Sequence, residues 1–505
     1  MRIIFLLFIT MSCPLYFFGQ GKAYNWLIGY QSATDANTTS RRMLAHTDSI
    51  NSVFTPTSFK MPFSSCQATI SDENGNLIIS SNGCWVANAI MDTMKNGGGL
   101  NPGPFSTIRC TNISANPFPH ANTILPMPDS SNKYYLFHMT GNNNMNSYLP
   151  TEIYYSVIDI SKDGGLGAVD STQKNVIMIN DTLSMGIAAC KHANGRDWWI
   201  VVAKDSSDLI YKILLSPNGI TSITSQHLNV PIVKFNAGQP TFSQDGSKFA
   251  YTFGYGTSTG GYYHDVRLFD FDRCNGVFSN PHVINITDSI AGLGMAFSSN
   301  STFLYACSFE RIFQINTSTL SVDTVAIYDG HFSPSPPFYS YFWSLYLAPN
   351  GKIYCSTANG TLELHLINYP DSSGLSCDVQ QHVIPLTCYA FRANVNHPNY
   401  YLGCDTTSSC PCLTTSLNEI EKNNFNFSLS PNPSNGNIKL MYILPQNKSG
   451  TFQIFDINGK AVYSQNLPQW STLQNIDVSF LSPGVYSCQI NSNNFLVSKK
   501  VVIIK

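Results

Sequence analysis

Hydrolysis of a sugar by carboxylates needs two acids facing one another across roughly 5 to 9.5 Å. Candidates such as Glu152, Asp265 and Glu310 fall near the face that carries the long loops. Spacing along the sequence does not pair them, and solvated acids in loops are common, so no catalytic residue is assigned. No Gly-x-Ser-x-Gly elbow, His-Glu-x-x-His pair or phosphate-cradling glycine loop occurs. Lys191-His192 precedes a tight turn and reads as a turn histidine. Asp159-Ile160-Ser161-Lys162-Asp163-Gly164 lacks the third spaced ligand and closing Glu of a calcium loop, so it reads as a hairpin turn. Cys404, Cys410 and Cys412 look like half a metal site without histidines at finger-like spacing. Neither metal nor cofactor is expected.

The long loops do carry aromatic rings beside neutral amides. Tyr148 lies in 139–152, near Asn142-Asn143-Asn144. Tyr255, Tyr262 and Tyr263 lie in 254–265, and Phe338, Tyr339, Tyr341 and Trp343 in 328–343. Such rings stack on sugar faces while amides bond hydroxyls, or they form an aromatic-rich protein contact. These eight residues are the candidate ligand-binding set.

The elements that must position them form a repeat. An apolar strand, a tight polar turn and an aromatic or β-branched strand recur six times. The turns centre on Gly75, Asn132, Gly195, Gly246, Ser301 and Gly351, at separations of 57, 63, 51, 55 and 50 residues. Asn-Gly and Asp-Gly are strong hairpin signals because a type I′ turn needs positive φ. Most units continue with a third and fourth strand, as in Val266–Phe271 and Val283–Ile286. Four antiparallel strands every 50–60 residues or so is the pattern of a β-propeller blade. Strands left over at both ends, around Asn25–Tyr30, Arg41–Leu44 and Asn399–Leu402, would close the ring as a composite seventh blade. The expected fold is all-β: a propeller over 24–404, then a small antiparallel β-sandwich.

Composition fits an extracellular β protein: 43% hydrophobic and 12% aromatic residues with only 11% charged, and a net charge of -2. That balance, without a Lys/Arg cluster, argues against nucleic acid. Met1-Arg2 followed by Ile3–Ile9 reads as a signal peptide over 1–19, too short and broken for a permanent span. No other apolar run approaches the ~18 residues of a transmembrane helix. Twelve cysteines lie between Cys66 and Cys412, an even number suited to disulfides. Cys377 and Cys388 are spaced for a bridge across a hairpin.

From 405 to 424 the chain turns Ser/Thr/Cys-rich, as a linker does. Beyond it come Ser430-Pro431-Asn432-Pro433-Ser434-Asn435-Gly436, then Asp456-Ile457-Asn458-Gly459-Lys460, then Ser482-Pro483-Gly484-Val485-Tyr486 and finally Ser498-Lys499-Lys500. In order and spacing this tail, 425–505, resembles the C-terminal sorting domain of type IX secretion substrates. The sorting motif is carried by Pro431, Asn432, Pro433, Gly436, Asp456, Gly459, Lys460, Pro483, Gly484, Tyr486, Lys499 and Lys500. The resemblance implies passage through the periplasm to the outer surface or medium, the secretion machinery as partner, and frequent removal of the tail. The passenger is similar, in phrases such as Ile70–Leu77 and Lys191–Gly195, to poorly understood propeller proteins carrying this tail. Their closing Gly-Leu-Pro-Asn phrase is here Val395-Asn396-His397-Pro398-Asn399, which leaves the closing blade open. The reading is a secreted or surface propeller binding glycan or protein without catalysis. A propeller glycosidase or lyase, or a structural surface component, is the alternative.

Overall fold

The computed structural model describes residues 21–30, 42–112, 115–141, 149–230, 238–256, 262–286, 294–334, 337–392, 395–413, 426–444, 449–457, 459–468, 473–492 and 495–504. The expected signal segment lies outside them. The chain divides into two compact units, one spanning Gly19–Thr414 and the other holding Thr415–Lys505. Both are built almost wholly of antiparallel strands.

The first unit gathers its strands into seven sheets in chain order. The first pairs Asn25–Ile28, Arg42–Thr47 and Ser52–Thr57, and the second Ala68–Ser71, Leu77–Ser81 and Val86–Ala87. In the third, Asn122–Pro126, Lys133–Gly141 and Pro150–Asp159 are joined by two short strands. Sheets four to seven have four strands each, starting at Ala188, Thr241, Met295 and Phe342. A two-stranded ribbon, Phe332–Pro334 with Pro337–Tyr339, sits between the last two. The six repeat turns join first to second strand in sheets two to seven. Gly75, Gly195, Gly246 and Gly351 take φ of 72° to 83° there, where a Cβ is disfavoured.

Burial falls from the first strand of a sheet to its last. Ala68–Ser71 and Met295–Phe297 are buried throughout, whereas Val322–Ile327 is mostly exposed. First strands are covered on both faces, because each sheet shares an apolar core with the next. Leu27 packs with Leu77, Ile70 with Ile124, Trp199 with Phe249, Leu268 with Leu304 and Tyr305 with Ile353, each within one core. Trp26 and Met43 of the first sheet then pack with Tyr346 and Leu364 of the seventh.

Two expectations about the end of this unit need correction. Among the described residues no strand from the C-terminal side joins the first sheet, whose strands all lie within 25–57, and Tyr400-Tyr401 form a turn. Residues 405–413 do not behave as a linker. Together, 395–413 form a strap laid across the first strands. The Asn396 amide donates to the carbonyls of Ile187 (2.7 Å), Asn122 (3.2 Å) and His120 (3.3 Å). His397 bonds the Thr69 carbonyl through Nε2 (2.8 Å) and the Tyr346 hydroxyl through Nδ1 (2.9 Å). The Tyr400 hydroxyl reaches the Ile124 carbonyl (2.9 Å), and Arg273 holds the Gly403 carbonyl (2.6 Å). The strap's polar groups are spent on carbonyls of several sheets, which is why it cannot be a strand of one. Beside it remains a cavity of about 60 Å³, lined by Gln239, Met295, Tyr346 and His397 among others, with room for a few waters.

Disulfides join Cys84 to Cys110, Cys274 to Cys410 and Cys404 to Cys412. The first ties down the helix Pro104–Asn112, the second fastens the strap's end to the turn before Val277–Ile286, and the third closes a loop within the strap. Full pairing of the twelve passenger cysteines is not found. Cys66, Cys190, Cys307, Cys355, Cys377 and Cys388 are buried free thiols, and Cys377 does not bridge to Cys388. They fill apolar space between sheets, as small hydrophobes do. Burial pushes the Cys190 and Cys388 thiols up to about 12, so they are inert. Alkylation of unreduced protein is therefore expected to label none of these six natively and all six after denaturation, read as mass added to the passenger.

Burial also pushes His138, His365 and His397 down to about 3 and His120 to about 4. Below their ordinary value of 6.5 the unfolded chain binds protons that the folded chain refuses. Stability must then fall as pH drops from about 6.5 towards 4. The expected result is a thermal midpoint that declines across this window, with a shallower slope in His397→Gln.

Candidate functional site

The connection from the sixth to the seventh sheet places a row of rings on one surface. Phe332 meets Tyr339 edge-on (4.9 Å), Tyr339 stacks on Tyr341 (5.2 Å), and Tyr341 stacks on Phe309 (5.9 Å). Phe309 lies against Trp343 (5.4 Å), and the Arg392 guanidinium sits 4.1 Å over the Trp343 ring. Tyr328 braces Tyr341 from the side (4.9 Å). The ribbon that carries Phe332, Phe338 and Tyr339 is pinned at its base. The Ser340 hydroxyl donates to the buried Glu363 carboxylate, and His365 bonds the Ser340 carbonyl (2.8 Å). Asn359 donates to the Tyr339 carbonyl (2.8 Å).

Of the eight candidate residues, Phe338, Tyr339, Tyr341 and Trp343 are brought together here. Phe332, Phe338 and Tyr339 are 47%, 46% and 48% exposed, while Trp343 is buried under Phe309 and Arg392. Tyr255 pairs with Tyr263, and Tyr262 with Gly256, across a hairpin of the fifth sheet, but their side chains lie outside the described residues. Tyr148 lies outside them as well. Reasoning from sequence missed Phe332, Phe309 and Arg392. Phe332 lay inside a loop already singled out. Phe309 and Arg392 stand alone at strand ends, and only packing of adjacent sheets brings them to the row.

The three candidate acids stay apart. Glu152 belongs to the third sheet and accepts the Tyr154 hydroxyl (2.5 Å). Asp265, in the fifth, has its pKa raised by burial. Glu310 sits in a turn of the sixth. His192 accepts the Asn194 amide through Nδ1 (3.0 Å) and stacks on Trp199 (5.7 Å), as a turn histidine does. Asp159 is occupied by Ser161, through its amide (3.0 Å) and hydroxyl (2.6 Å). Among the described residues no cluster of His, Cys, Asp and Glu could hold a metal.

The second unit has two sheets around one core. Asn426–Ser430, Asn437–Ile443 and Leu473–Asp477 form one, and Ala461–Leu467, Gly450–Phe455, Gly484–Ser492 and Phe495–Ile503 the other. Phe427, Leu440, Phe452, Ile490 and Val501 meet between them. The motif residues lie at its turns and seam. The Asn432 amide donates to the Lys500 carbonyl (2.9 Å), and its oxygen accepts from the Val502 amide (2.9 Å). The opening Pro-Asn-Pro turn is thereby sewn to the last strand, which carries Lys499 and Lys500. Asp456 accepts from the Lys460 amide (2.9 Å) around Gly459, whose φ is 79°. The Tyr486 hydroxyl reaches back to the Ser482 carbonyl (2.8 Å) across Pro483 and Gly484.

An all-β passenger held by disulfides, followed by a self-contained two-sheet module, has the make-up of an exported protein. Residues 428–505 match the family described as secretion system C-terminal sorting domain. The chain carries this domain of the type IX route, and its destination is the cell surface or the extracellular space. Among the described residues no helix is long and apolar enough to cross a membrane. No curated protein matches the chain. Among solved structures it is similar to a functionally unknown protein from Desulfotomaculum acetoxidans DSM 771, at 12% identity and TM-score 0.38, over 72% of this chain and 98% of that one. It is also similar to the extracellular domain assigned to a hybrid two-component system of B. thetaiotaomicron, at 11% identity and TM-score 0.35. There it covers 96% of this chain but spans only 58% of the other. At such TM-scores these likenesses bear on neither fold nor function.

Asn432→Ala removes both bonds of the seam, about 1–3 kcal/mol together. The expected outcome is a lower melting midpoint for the second unit by calorimetry and less passenger at the cell surface by fractionation.

Proposed function

We propose that the seven sheets are the blades of a β-propeller, the second unit is a β-sandwich, and the propeller acts outside the cell as a non-catalytic glycan-binding module. The observation that carries this is the half-exposed ring row on the face of the long connections. The ring architecture is supported by cores shared from each sheet to the next and from the seventh to the first. It is supported also by turns that touch their neighbours in the same order. Arg196 pairs with Asp129 (3.0 Å), the Asp245 amide with the Ser301 hydroxyl (3.3 Å), and Asn350 with Ser52 (3.0 Å).

Rings fixed on rigid sheets lose little entropy when a flat ligand lies against them. Neutral neighbours such as Asn359 suit hydroxyls, whose hydrogen bonds need no ion pairing. The axial strap and its small cavity leave no central space for a sugar, so the ligand lies across the face. Exposed Phe338 at the ribbon tip would equally suit an aromatic-rich protein contact, which is the second arm of the test. Passenger residues 21–413 are expected to bind one class in a polysaccharide array saturably. Replacing Phe332 and Tyr339 by Ala should weaken binding at least fivefold, about 1 kcal/mol or more, without shifting the melting midpoint. Binding to surface proteins alone would overturn the glycan reading.

A further inference from the structure

The ring row ends in a cation, Arg392, whose two terminal nitrogens meet no carboxylate or carbonyl among the described residues. Arg392 follows the last strand of the seventh sheet, with a φ of 53°. Its amide donates to the Thr357 carbonyl (3.1 Å) and its Nε to the Ala358 carbonyl (3.2 Å), so the side chain is fixed at its root. The guanidinium lies 4.1 Å over Trp343 and 4.8 Å over Phe391, and Phe391 packs on Tyr30 (4.8 Å). Among the described residues no carboxylate or carbonyl takes up its two terminal nitrogens.

Two other arginines of the passenger behave differently. Arg273 spends its donors on the carbonyls of Lys191, His192, Asp245 and Gly403. Arg196 holds Asp129 and Asp197. An arginine placed only to brace the fold uses its fork in this way. One stacked on an indole and partly shielded from water keeps a planar pair of N–H groups, shaped for a carboxylate. Desolvation lowers the Arg392 pKa from its ordinary value, yet an arginine stays charged. The nearby acids do not compete for it. Asp329 is held by His382 (2.9 Å), and Glu363 by Ser340 and His331 (3.5 Å). Glu310 lies near Tyr341, further along the row.

We infer that the ring row and Arg392 form one site for polysaccharides that carry carboxylates, that is, chains of uronic acids. Tyr339 and Phe332 lie under sugar faces, and the Arg392 fork holds a uronate carboxylate at the Trp343 end. This rests on the glycan-binding reading and names its ligand class.

The test is titration of the full chain with oligomers of galacturonate, guluronate and glucuronate, each beside its carboxyl-reduced neutral counterpart. One uronate series is expected to bind at least tenfold more tightly than its neutral counterpart, with affinity falling as salt rises. Arg392→Gln should erase that preference, so that acidic and neutral oligomers bind it alike. Arg392→Lys, which keeps the charge without the fork, should lose most of it. Comparing acidic and reduced ligands on the unaltered protein reads the preference even where a variant folds poorly. Equal affinity for acidic and neutral oligomers, or a preference that survives Arg392→Gln, overturns the uronate inference and leaves glycan binding standing. Binding of no glycan at all overturns both.

Discussion

Buried backbone carbonyls must find donors, and the first strands of the second, third and fourth sheets create that demand at and beside their ends. The ends of those strands leave the carbonyls of His120, Asn122, Ile187 and Thr69 facing inward. Asn396 and His397 answer them with side-chain donors. The irregular strap gives donors to several sheets, and it is kept in place by Tyr400 against Trp198 and by the Cys274–Cys410 disulfide at its far end, where Cys404–Cys412 closes a loop within the strap.

That strap gives the two faces of the passenger different characters. It begins with Val395 in the core shared by the first and seventh sheets and ends at the short turns, where Cys410 is bonded to Cys274 and the Leu413 amide to the Asn194 carbonyl. The turn face is consumed by structural contacts, Arg273 above all. The other face is freer, and rings accumulate there. Each ring contact adds about 0.5–1.5 kcal/mol beyond area burial, so the row is stiff while its outer members remain half-exposed.

Export shapes the rest. With 11% charged residues the chain is held by neutral hydrogen bonds and apolar packing rather than ion pairs. Its buried histidines are neutral in the fold, and half of its passenger cysteines serve as packing. The sorting unit follows the same economy: Asn432 closes its seam with two neutral bonds, and motifs some seventy residues apart become one corner of a small domain.

The hairpins, the all-β class and the tail were legible in the residues themselves, because a tight turn needs at a fixed place a residue that accepts positive φ, glycine above all, though not at both central positions as a type I′ turn would, and strand runs need β-branched and aromatic side chains. Those are local requirements, satisfied within a few residues, and six turns and three sorting motifs carry them openly. The aromatic loop at 328–343 was legible for the same reason. What only tertiary structure decided depends on residues far apart in the chain. Whether Cys377 meets Cys388 or packs alone, whether Asn399–Leu402 extends a sheet or crosses several, and whether Phe309 and Arg392 join Tyr341 are settled by how sheets stack. A lone Phe or Arg at a strand end has no local pattern to announce its partner. Packing selects it, and the sequence by itself records only that the residue is there.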